Sequence, residues 1–335
     1  MVDPPNATRR PLSRRGALGL ATAAGSIRAT LAQPHVAAAW PTKPVRYIEL
    51  FAAGSAPDIA SRAWCAAMAE ITGQQFVVDN RPGAGGTIGG TAIARAAPDG
   101  YTIGLCGVGQ LAIAPTLYTR LPYDPARDFA FLSGLWRQPL VVLANNDFPA
   151  RSVEELVALL KREPGRHLYG HPGLGTSPHL AMELFKTRAG VTIEPIPYNG
   201  PQMMLDLIGG RVQLACNLAA VGFPGARDGK FRALAVTGPE RHPAAPDVPA
   251  LSEFLPGFDV SSWAALVGPA SLSAPLVERM HALSRQALEH PDLVQRFQLG
   301  GNTPWPIGPA ELAAYRAEQA ALLAPIVRAS GARIE

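Results

Sequence analysis

The segment from residue 80 to residue 102 constrains the fold of this chain more than any other. Five glycines fall between Gly83 and Gly90, which predicts a turn whose backbone adopts conformations closed to other residues and approaches a neighbour closely. Apolar runs flank the turn at residues 75–79 and 101–106, and residues 87–97 form a helical pattern between them. This order of strand, glycine turn, short helix and strand is typical of an α/β protein.

The same alternation of apolar runs and helical patterns continues along the chain. The predicted strands cover residues 45–51, 75–80, 101–106, 139–144, 167–170, 193–197, 212–217, 231–236 and 262–267, and the predicted helices cover residues 58–71, 87–97, 153–161, 178–188, 201–208, 275–289 and 309–328. Strands that alternate with helices in this way predict two sheets of parallel type with crossover connections.

The N-terminus has the layout of an export signal. Arg14 and Arg15 form a twin-arginine pattern, and residues 17–27 form a weakly apolar stretch rich in alanine and glycine. Small residues between 29 and 39 offer cleavage sites before Trp40. This order favours a signal peptide over a disordered basic tail, and it predicts a periplasmic protein that is exported by the twin-arginine route.

Charge and cysteine content exclude several classes of protein. The chain has a net charge of +4, and residues 1–39 account for all of it, so the remaining residues carry no basic surface for nucleic acid. Cys65, Cys106 and Cys216 are far apart and predict small buried side chains, although one disulfide stays open in an oxidising compartment. Neither a metal site nor a cofactor is expected.

Five segments in order along the chain resemble those of a known family. They are residues 43–46 leading into 50–58, 80–102, 173–181, 197–217 and 241–251. Together they resemble the substrate-binding receptors of tripartite tricarboxylate transporters, the periplasmic Bug family, from about Trp40 to the C-terminus.

The resemblance implies the architecture of a type II-like periplasmic binding protein. Two α/β lobes, each built on a mixed sheet flanked by helices, would be joined by a hinge that the chain crosses twice, near residues 143–146 and 257–261. The implied division is a signal peptide and leader at 1–39, lobe 1 at 40–143 plus 260–335, and lobe 2 at 144–259.

The resemblance also implies a function without catalysis. Such a receptor captures a small organic anion, either a mono-, di- or tricarboxylate or an aromatic acid, between its lobes. It then delivers the anion to the membrane subunits of the transporter, and a monomer is expected. A co-receptor that presents the ligand to a sensor protein uses the same binding chemistry, and the sequence does not separate it from a transport receptor.

Strand ends that meet helix starts predict where the ligand binds, because a cleft between two α/β lobes receives them. Three such loops offer neutral donors and positive helix ends, which suit carboxylates. With single residues from other loops, the candidate ligand-binding residues are Gly54, Ser55, Asp58, Gln110, Gly175, Thr176, Ser177, Tyr198, Asn199, Asn217 and Trp263. Asp58 is expected to accept hydrogen bonds that fix its loop, and His179 to face into its lobe.

Structural roles compete with ligand binding at several of these positions. Thr176 and Ser177 suit helix capping, Tyr198 suits packing at the hinge, and Trp263 suits either the cleft floor or the core. Asn217 stands where the family often has aspartate. The loop of Gln110 matches the family loosely.

An enzyme is the weaker alternative. Residues 107–112 match the dinucleotide pattern GxGxxA, but Pro115 interrupts the helix that should follow. The sequence has no GxSxG motif, which disfavours an exported α/β hydrolase. The first cleft loop departs from the family pattern at Ser55 and Pro57, so no single relative's substrate is transferred.

Overall fold

The structure is a computed structural model that describes residues 39–198 and 201–335. The predicted export signal and Asn199 lie outside the described residues. No helix within the described ranges is long and apolar enough to cross a membrane.

The described chain alternates strands and helices, as the sequence predicts. The first lobe begins with β1 (Val45–Glu49), α1 (Ala56–Thr72), β2 (Phe76–Asn80), α2 (Thr87–Ala94), β3 (Thr102–Gly107), a π-helical turn (Gly109–Ile113) and α3 (Ala114–Leu117). After β4 (Phe129–Ala144), the second lobe contains α4 (Val153–Arg162), β5 (Leu168–His171), α5 (Ser177–Ala189), β6 (Glu194–Pro197), α6 (Gln202–Ile208), β7 (Leu214–Leu218), α7 (Ala219–Arg227) and β8 (Arg232–Val236). The chain returns through β9 (Ser261–Pro269), α8 (Ala274–Leu288), α9 (Pro291–Leu299), β10 (Thr303–Pro304) and α10 (Pro309–Ala329).

Two mixed sheets share strand β4, which confirms the predicted fold class. In the first sheet, β1 lies parallel between β2 and β3, and β9 lies antiparallel between β3 and the first part of β4. In the second sheet, the last part of β4 lies antiparallel to β7 and β8, and β5 lies parallel to β6 and β7. The strands therefore form a continuous path of eight through both lobes, β2-β1-β3-β9-β4-β7-β5-β6, and β8 and β10 pair with β4 beside this path.

The chain passes between the lobes within β4, where this strand changes its partners, and again just before β9 begins. Pro139 pairs with Ser261 in the first sheet, whereas Leu140 pairs with Leu218 in the second. Thr237 connects the two crossings, because its N–H donates to the Leu140 carbonyl and its carbonyl accepts from Val260. The change of partner in β4 precedes the predicted crossing at 143–146, and β9 begins at Ser261, at the end of the predicted range 257–261. We propose the lobe division on this basis.

Helix α10 packs against both lobes. It contacts the π-helical turn, α3 and β4 of the first lobe and α5 of the second. Leu312, Leu323 and Val327 of this helix are buried in a hydrophobic core that includes side chains of both lobes. The C-terminal helix is therefore a third connection between the lobes, beside the two crossings.

Several elements differ from the sequence prediction. Strand β4 begins ten residues earlier than predicted, and its early part contains Gly134, Arg137 and Gln138 and two register shifts, so its pattern is not that of a regular strand. Helix α7 was missed because Gly222, Pro224 and Gly225 disfavour a helix. The α7 glycines admit neighbouring side chains: a Cβ on Gly225 would lie 2.1 Å from the Phe231 ring. Helix α9 and strand β10 were also missed.

Candidate ligand-binding site

A cavity of about 460 Å³ lies between the two lobes. The sequence-predicted candidates that line it are Gln110, Gly175, Thr176, Ser177, Asn217 and Trp263. Its volume is within the range of small-molecule sites, about 300–1,000 Å³. The cavity therefore brings together predicted residues from both lobes.

Four helix or turn starts surround this cavity. Pro57 at the start of α1 and Gly109 of the π-helical turn belong to the first lobe, and Ser177 of α5 and Leu218 before α7 belong to the second. Because the first N–H groups of a helix have no acceptor within it, each start contributes partial positive charge. The partial charge that these starts contribute at the cavity is thus positive, although the described lining contains no lysine or arginine.

The start of α5 offers the freest donors. Thr176 occupies the N-cap position, but its hydroxyl donates to the Gly173 carbonyl at 2.7 Å instead of capping the helix. The backbone N–H groups of Ser177 and His179 and the Ser177 hydroxyl have no hydrogen-bond partner among the described residues. These groups are available to a ligand oxygen.

The loop before α5 approaches the other lobe closely. Gly175 has φ +71°, which favours glycine, and a Cβ built there would lie 2.6 Å from a methyl carbon of Leu117. A larger residue here would therefore have to displace the Leu117 side chain of the other lobe.

A pair of buried histidines supports this loop from behind. The rings of His171 and His179 lie 4.5 Å apart between centroids, and the Gly175 N–H donates to His179 Nδ1 at 3.2 Å. His171 Nδ1 lies 2.9 Å from the Gly173 carbonyl oxygen. Burial lowers the pKa of both histidines, that of His179 to about 4. Both imidazoles are therefore neutral near pH 7, and His179 lies inside its lobe, as predicted.

The residues that line the cavity near the start of α1 are not the ones that the sequence predicted. Pro57 and Phe51 line the cavity, whereas Gly54, Ser55 and Asp58 do not. The Ser55 hydroxyl is buried and has no hydrogen-bond partner within the described chain. The ligand-binding role of these three residues stays a prediction.

Asp58 organises its own loop. Its carboxylate accepts hydrogen bonds from the Gly54 N–H at 2.8 Å, from Arg62 Nε at 2.9 Å and from Asn80 Nδ2 at 2.8 Å. Burial alone would raise the pKa of Asp58, but the hydrogen bonds from Arg62, Asn80 and Gly54 outweigh it and hold the pKa below its ordinary value. Asp58 therefore stays charged and fixes the path of the chain into α1, as expected.

Glu49 is a second buried carboxyl group behind the same loop. It ends β1, is fully buried, and accepts hydrogen bonds from the Ser61 hydroxyl and from the Phe51 N–H. Burial raises the pKa of Glu49 to about 7. Sequence analysis did not single it out, because its position follows an ordinary alternation along the strand.

Gln110 lines the cavity, but both ends of its amide are engaged. Its Nε2 donates to the Gly85 carbonyl at 2.6 Å, and its Oε1 accepts from the Gly107 N–H at 3.0 Å. A Cβ on Gly86 would lie 2.6 Å from this amide nitrogen, so the predicted close approach of the glycine turn is confirmed. Gln110 thus ties two loops of the first lobe together.

Of the predicted residues Asn217 and Tyr198, only Asn217 lines the cavity. Asn217 lines the cavity, its Oδ1 accepts from the Leu218 N–H at 2.8 Å, and its amide nitrogen lies 3.7 Å from the sulfur of Met204. Tyr198 does not line the cavity, and its hydroxyl donates to Asp206 at 3.0 Å. The cavity therefore includes one of these two candidates.

Aromatic side chains form one wall of the cavity. Trp263 is 1% exposed and packs against Trp305 and Tyr315, with ring centroids 6.1 Å and 5.6 Å away. The indole N–H groups of Trp263 and of Trp136, which also lines the cavity, have no acceptor among the described residues. Trp263 is thus both core and cavity wall, so the two alternatives for this residue coincide.

Sequence analysis missed several lining residues. They are Phe51, Leu105, Leu117, Tyr118, Trp136, Leu174, Ser262 and Ile334. Most are apolar side chains with the pattern of ordinary core residues, and only Ser262, beside Trp263, carried a signal that could have indicated it.

Neither a disulfide nor a metal-binding group is present in the described part of the chain. Cys65, Cys106 and Cys216 are buried and free, which confirms the prediction of small buried side chains. Within 39–198 and 201–335, no group of His, Cys, Asp and Glu side chains is arranged to hold a metal ion.

Comparison with known proteins agrees with this geometry. A model of the tripartite tricarboxylate transporter family receptor matches residues 60–332. The protein BugT of Bordetella pertussis is 32% identical over 310 residues, which are 92% of this chain and 95% of BugT.

Two solved structures from Rhodopseudomonas palustris are similar to this chain. A protein with adipate has a TM-score of 0.78 and 30% identity and covers 88% of this chain and 100% of its own. MatC with bound malate has a TM-score of 0.73 and 29% identity and covers 86% of this chain and 100% of its own. The sequence match, the two-lobed fold and the cavity together show that this chain belongs to the tripartite tricarboxylate transporter receptor family.

Proposed function

We propose that the protein is a periplasmic receptor that captures a small organic anion between its lobes and delivers it to the membrane subunits of a tripartite transporter. The observation that carries the proposal is the interlobe cavity, which four helix or turn starts surround and whose described lining contains no charged side chain. The carboxylate ligands of the adipate and malate structures support it.

The electrostatics of the cavity favour one binding mode for an anion. Helix starts on opposite lobes, at Pro57 and at Ser177, direct partial positive charge into the same space. An anion between them receives donors from both lobes, so binding stabilises the closed arrangement. Neither lobe alone would complete this set of donors.

The same geometry supports binding without catalysis. His171 and His179 are buried, support the loop before α5 and do not line the cavity, and the Gly175 N–H donates to His179 Nδ1. A general base needs a free nitrogen within hydrogen-bond reach of the substrate. We therefore propose that the protein is not an enzyme, neither a hydrolase nor a nucleotide-dependent one.

Titration calorimetry with carboxylates and their matching amides tests anion capture. An acid and its amide have nearly the same shape, but only the acid is charged at pH 7. We expect the acid to bind with a micromolar or lower Kd, about −8 kcal/mol or better, and the amide to bind at least a hundredfold more weakly. Equal binding of acid and amide would show that the cavity does not select anions.

Delivery to a transporter is tested by uptake of the bound acid in cells. We expect uptake to require both the receptor and the membrane subunits encoded with it. Unchanged uptake without those subunits, with loss of a sensor-dependent response instead, would support the co-receptor alternative.

Export by the twin-arginine route is a separate part of the proposal. Replacing Arg14 and Arg15 by Lys should retain the precursor in the cytoplasm, because that route recognises the arginine pair. Immunoblots of periplasmic and cytoplasmic fractions give the result, and an unchanged periplasmic yield would contradict this route. Light scattering of the mature protein tests the expected monomer.

A further inference from the structure

We propose that the ligand is a monocarboxylate with an apolar body, either aromatic or aliphatic, rather than a di- or tricarboxylate. This inference rests on the proposed function and specifies its ligand. It is carried by the small number of polar groups that remain free in the cavity and by the apolar surface that forms the rest of its described lining.

Four polar side chains that line the cavity are already bonded to protein. The Gln110 amide is engaged at both ends, the Thr176 hydroxyl donates to Gly173, and the Tyr118 hydroxyl donates to Ala84. The carbonyl oxygen of the Asn217 amide accepts from Leu218. These side chains shape the cavity, and a ligand could recruit them only by breaking those bonds.

The free side-chain hydroxyls are few: one lies at the start of α5 and the other in β9. Among the described lining residues, the hydroxyls of Ser177 and Ser262 have no hydrogen-bond partner, and the Ser177 N–H is free as well. A carboxylate has two oxygens with about four acceptor positions. This set of donors matches one carboxylate, and the other unpaired side-chain donors of the lining, the indole N–H groups of Trp136 and Trp263, lie in an apolar wall.

A second carboxylate would be buried without a counter-charge. Arg62 and Arg137 already have partners: Arg62 donates to Asp58 at 2.9 Å, and Arg137 donates to Asp259 at 3.2 Å. Arg333, next to Ile334 in sequence, is exposed, and none of these three arginines lines the cavity. Because burial of an unpaired charge is strongly unfavourable, the cavity discriminates against extra carboxylates.

Apolar side chains from both lobes provide the rest of the surface. Phe51, Leu105, Trp136 and Trp263 of the first lobe face the cavity together with Leu174 of the second. The buried Trp136 and Trp263 indoles have unpaired N–H groups, so this wall also offers weak donors at the edge of an apolar surface. A hydrocarbon or aromatic body fits this environment, whereas a polyhydroxylated body leaves its own hydroxyls unpaired.

The test compares ligands that differ in one group. Hexanoate and adipate have chains of equal length and differ by one carboxylate, and hexanamide replaces the charge of hexanoate. Benzoate and cyclohexanecarboxylate compare an aromatic with an aliphatic ligand body, and malate and citrate represent polar acids with more than one carboxylate. We expect calorimetry of the mature protein to show that the best monocarboxylate binds at least tenfold more tightly than adipate, malate or citrate.

The outcomes separate this inference from the proposed function. If a di- or tricarboxylate binds tenfold more tightly than every monocarboxylate, the inference is wrong and anion capture stands. If the amide binds as well as the acid, or if no acid of the panel binds, both are overturned.

A charge introduced into the lining gives a second test. Leu174 lines the cavity and is 53% exposed, so Leu174→Lys should fold normally. We expect it to improve adipate relative to hexanoate about tenfold, because the second carboxylate gains a counter-charge. Leu299→Lys, at a residue that is 80% exposed and outside the cavity, is the matched control and should leave the ratio unchanged. An unchanged ratio in Leu174→Lys would contradict the inference.

Discussion

At the scale of single residues, the Ser177 hydroxyl is the side chain most directly placed to bind a ligand. It begins α5, lines the cavity and has no partner in the described chain. A hydrogen bond to a charged group contributes about 1.5–3 kcal/mol, so Ser177→Ala should weaken affinity for the bound acid roughly ten- to a hundredfold. Titration calorimetry measures the change.

Ser273 provides the control for this substitution. It precedes α8, makes no side-chain cap hydrogen bond and lies outside the cavity. Ser273→Ala should therefore retain the affinity of the unmodified protein. Equal affinities of the two variants would show that the hydroxyl of Ser177 does not contact the ligand.

Glu49 gives the protein a dependence of stability on pH. Because burial raises its pKa from 4.5 to about 7, the folded state binds a proton that the unfolded state has released between these values. The contribution of Glu49 to the free energy of unfolding is therefore complete below pH 4.5 and is lost as the pH rises through 7. Glu49→Gln removes this dependence.

We expect the free energy of unfolding of Glu49→Gln, relative to that of the unmodified protein, to rise by about 2–3 kcal/mol between about pH 5 and pH 8. Urea unfolding at both pH values measures it, and contributions from the histidines cancel in the comparison. Glu278→Gln, on the exposed side of α8, should show no such change. A constant difference in Glu49→Gln would mean that the carboxyl group is ionised at both pH values.

At the scale of elements, the C-terminal segment closes one end of the cavity. The Ile334 N–H donates to the Leu117 carbonyl at 2.9 Å, and its carbonyl accepts from the Thr119 N–H at 2.9 Å. Ile334 and Leu117 both line the cavity. This segment therefore holds α3 and its following loop against the site.

Removal of Ile334 and Glu335 deletes the two backbone hydrogen bonds that Ile334 makes, which contribute about 1–3 kcal/mol of local stability. We expect ligand binding to weaken several-fold. The fold should stay intact, because the loss is confined to a chain end. Removal of Glu335 alone keeps both hydrogen bonds and should have no effect. Calorimetry gives the affinities, and circular dichroism verifies the fold. Equal affinities of the two truncated proteins would exclude a role for Ile334.

The helices and strands also show where the sequence pattern no longer predicts secondary structure. Helices such as α1 and α8 were predicted within a few residues, because apolar residues repeat at helical spacing over several turns. The early part of β4 and helix α7 were missed, because their glycine, proline and polar residues are explained only by neighbours in the fold.

At the scale of the whole molecule, the two lobes meet at the crossings of β4 and β9 and along α10. An anion that binds helix starts from both lobes should favour the closed arrangement. We expect small-angle scattering to show a smaller radius of gyration with the bound acid than without it. The matching amide should leave the radius unchanged, and an equal radius with and without the acid would contradict closure.

The sequence by itself determined the α/β class, the family and the loops at which helices start, because these depend on local signals: hydrophobic spacing, glycine turns and helix-start residues. Only the tertiary structure decided which of these residues face one cavity. Gln110 is bonded to a neighbouring loop, Thr176 is bonded to Gly173 of its own loop, and Asp58 lies behind its loop. The apolar wall at Trp136 and Trp263 emerged only in three dimensions, because an apolar side chain has the same sequence pattern whether it faces the core or a ligand.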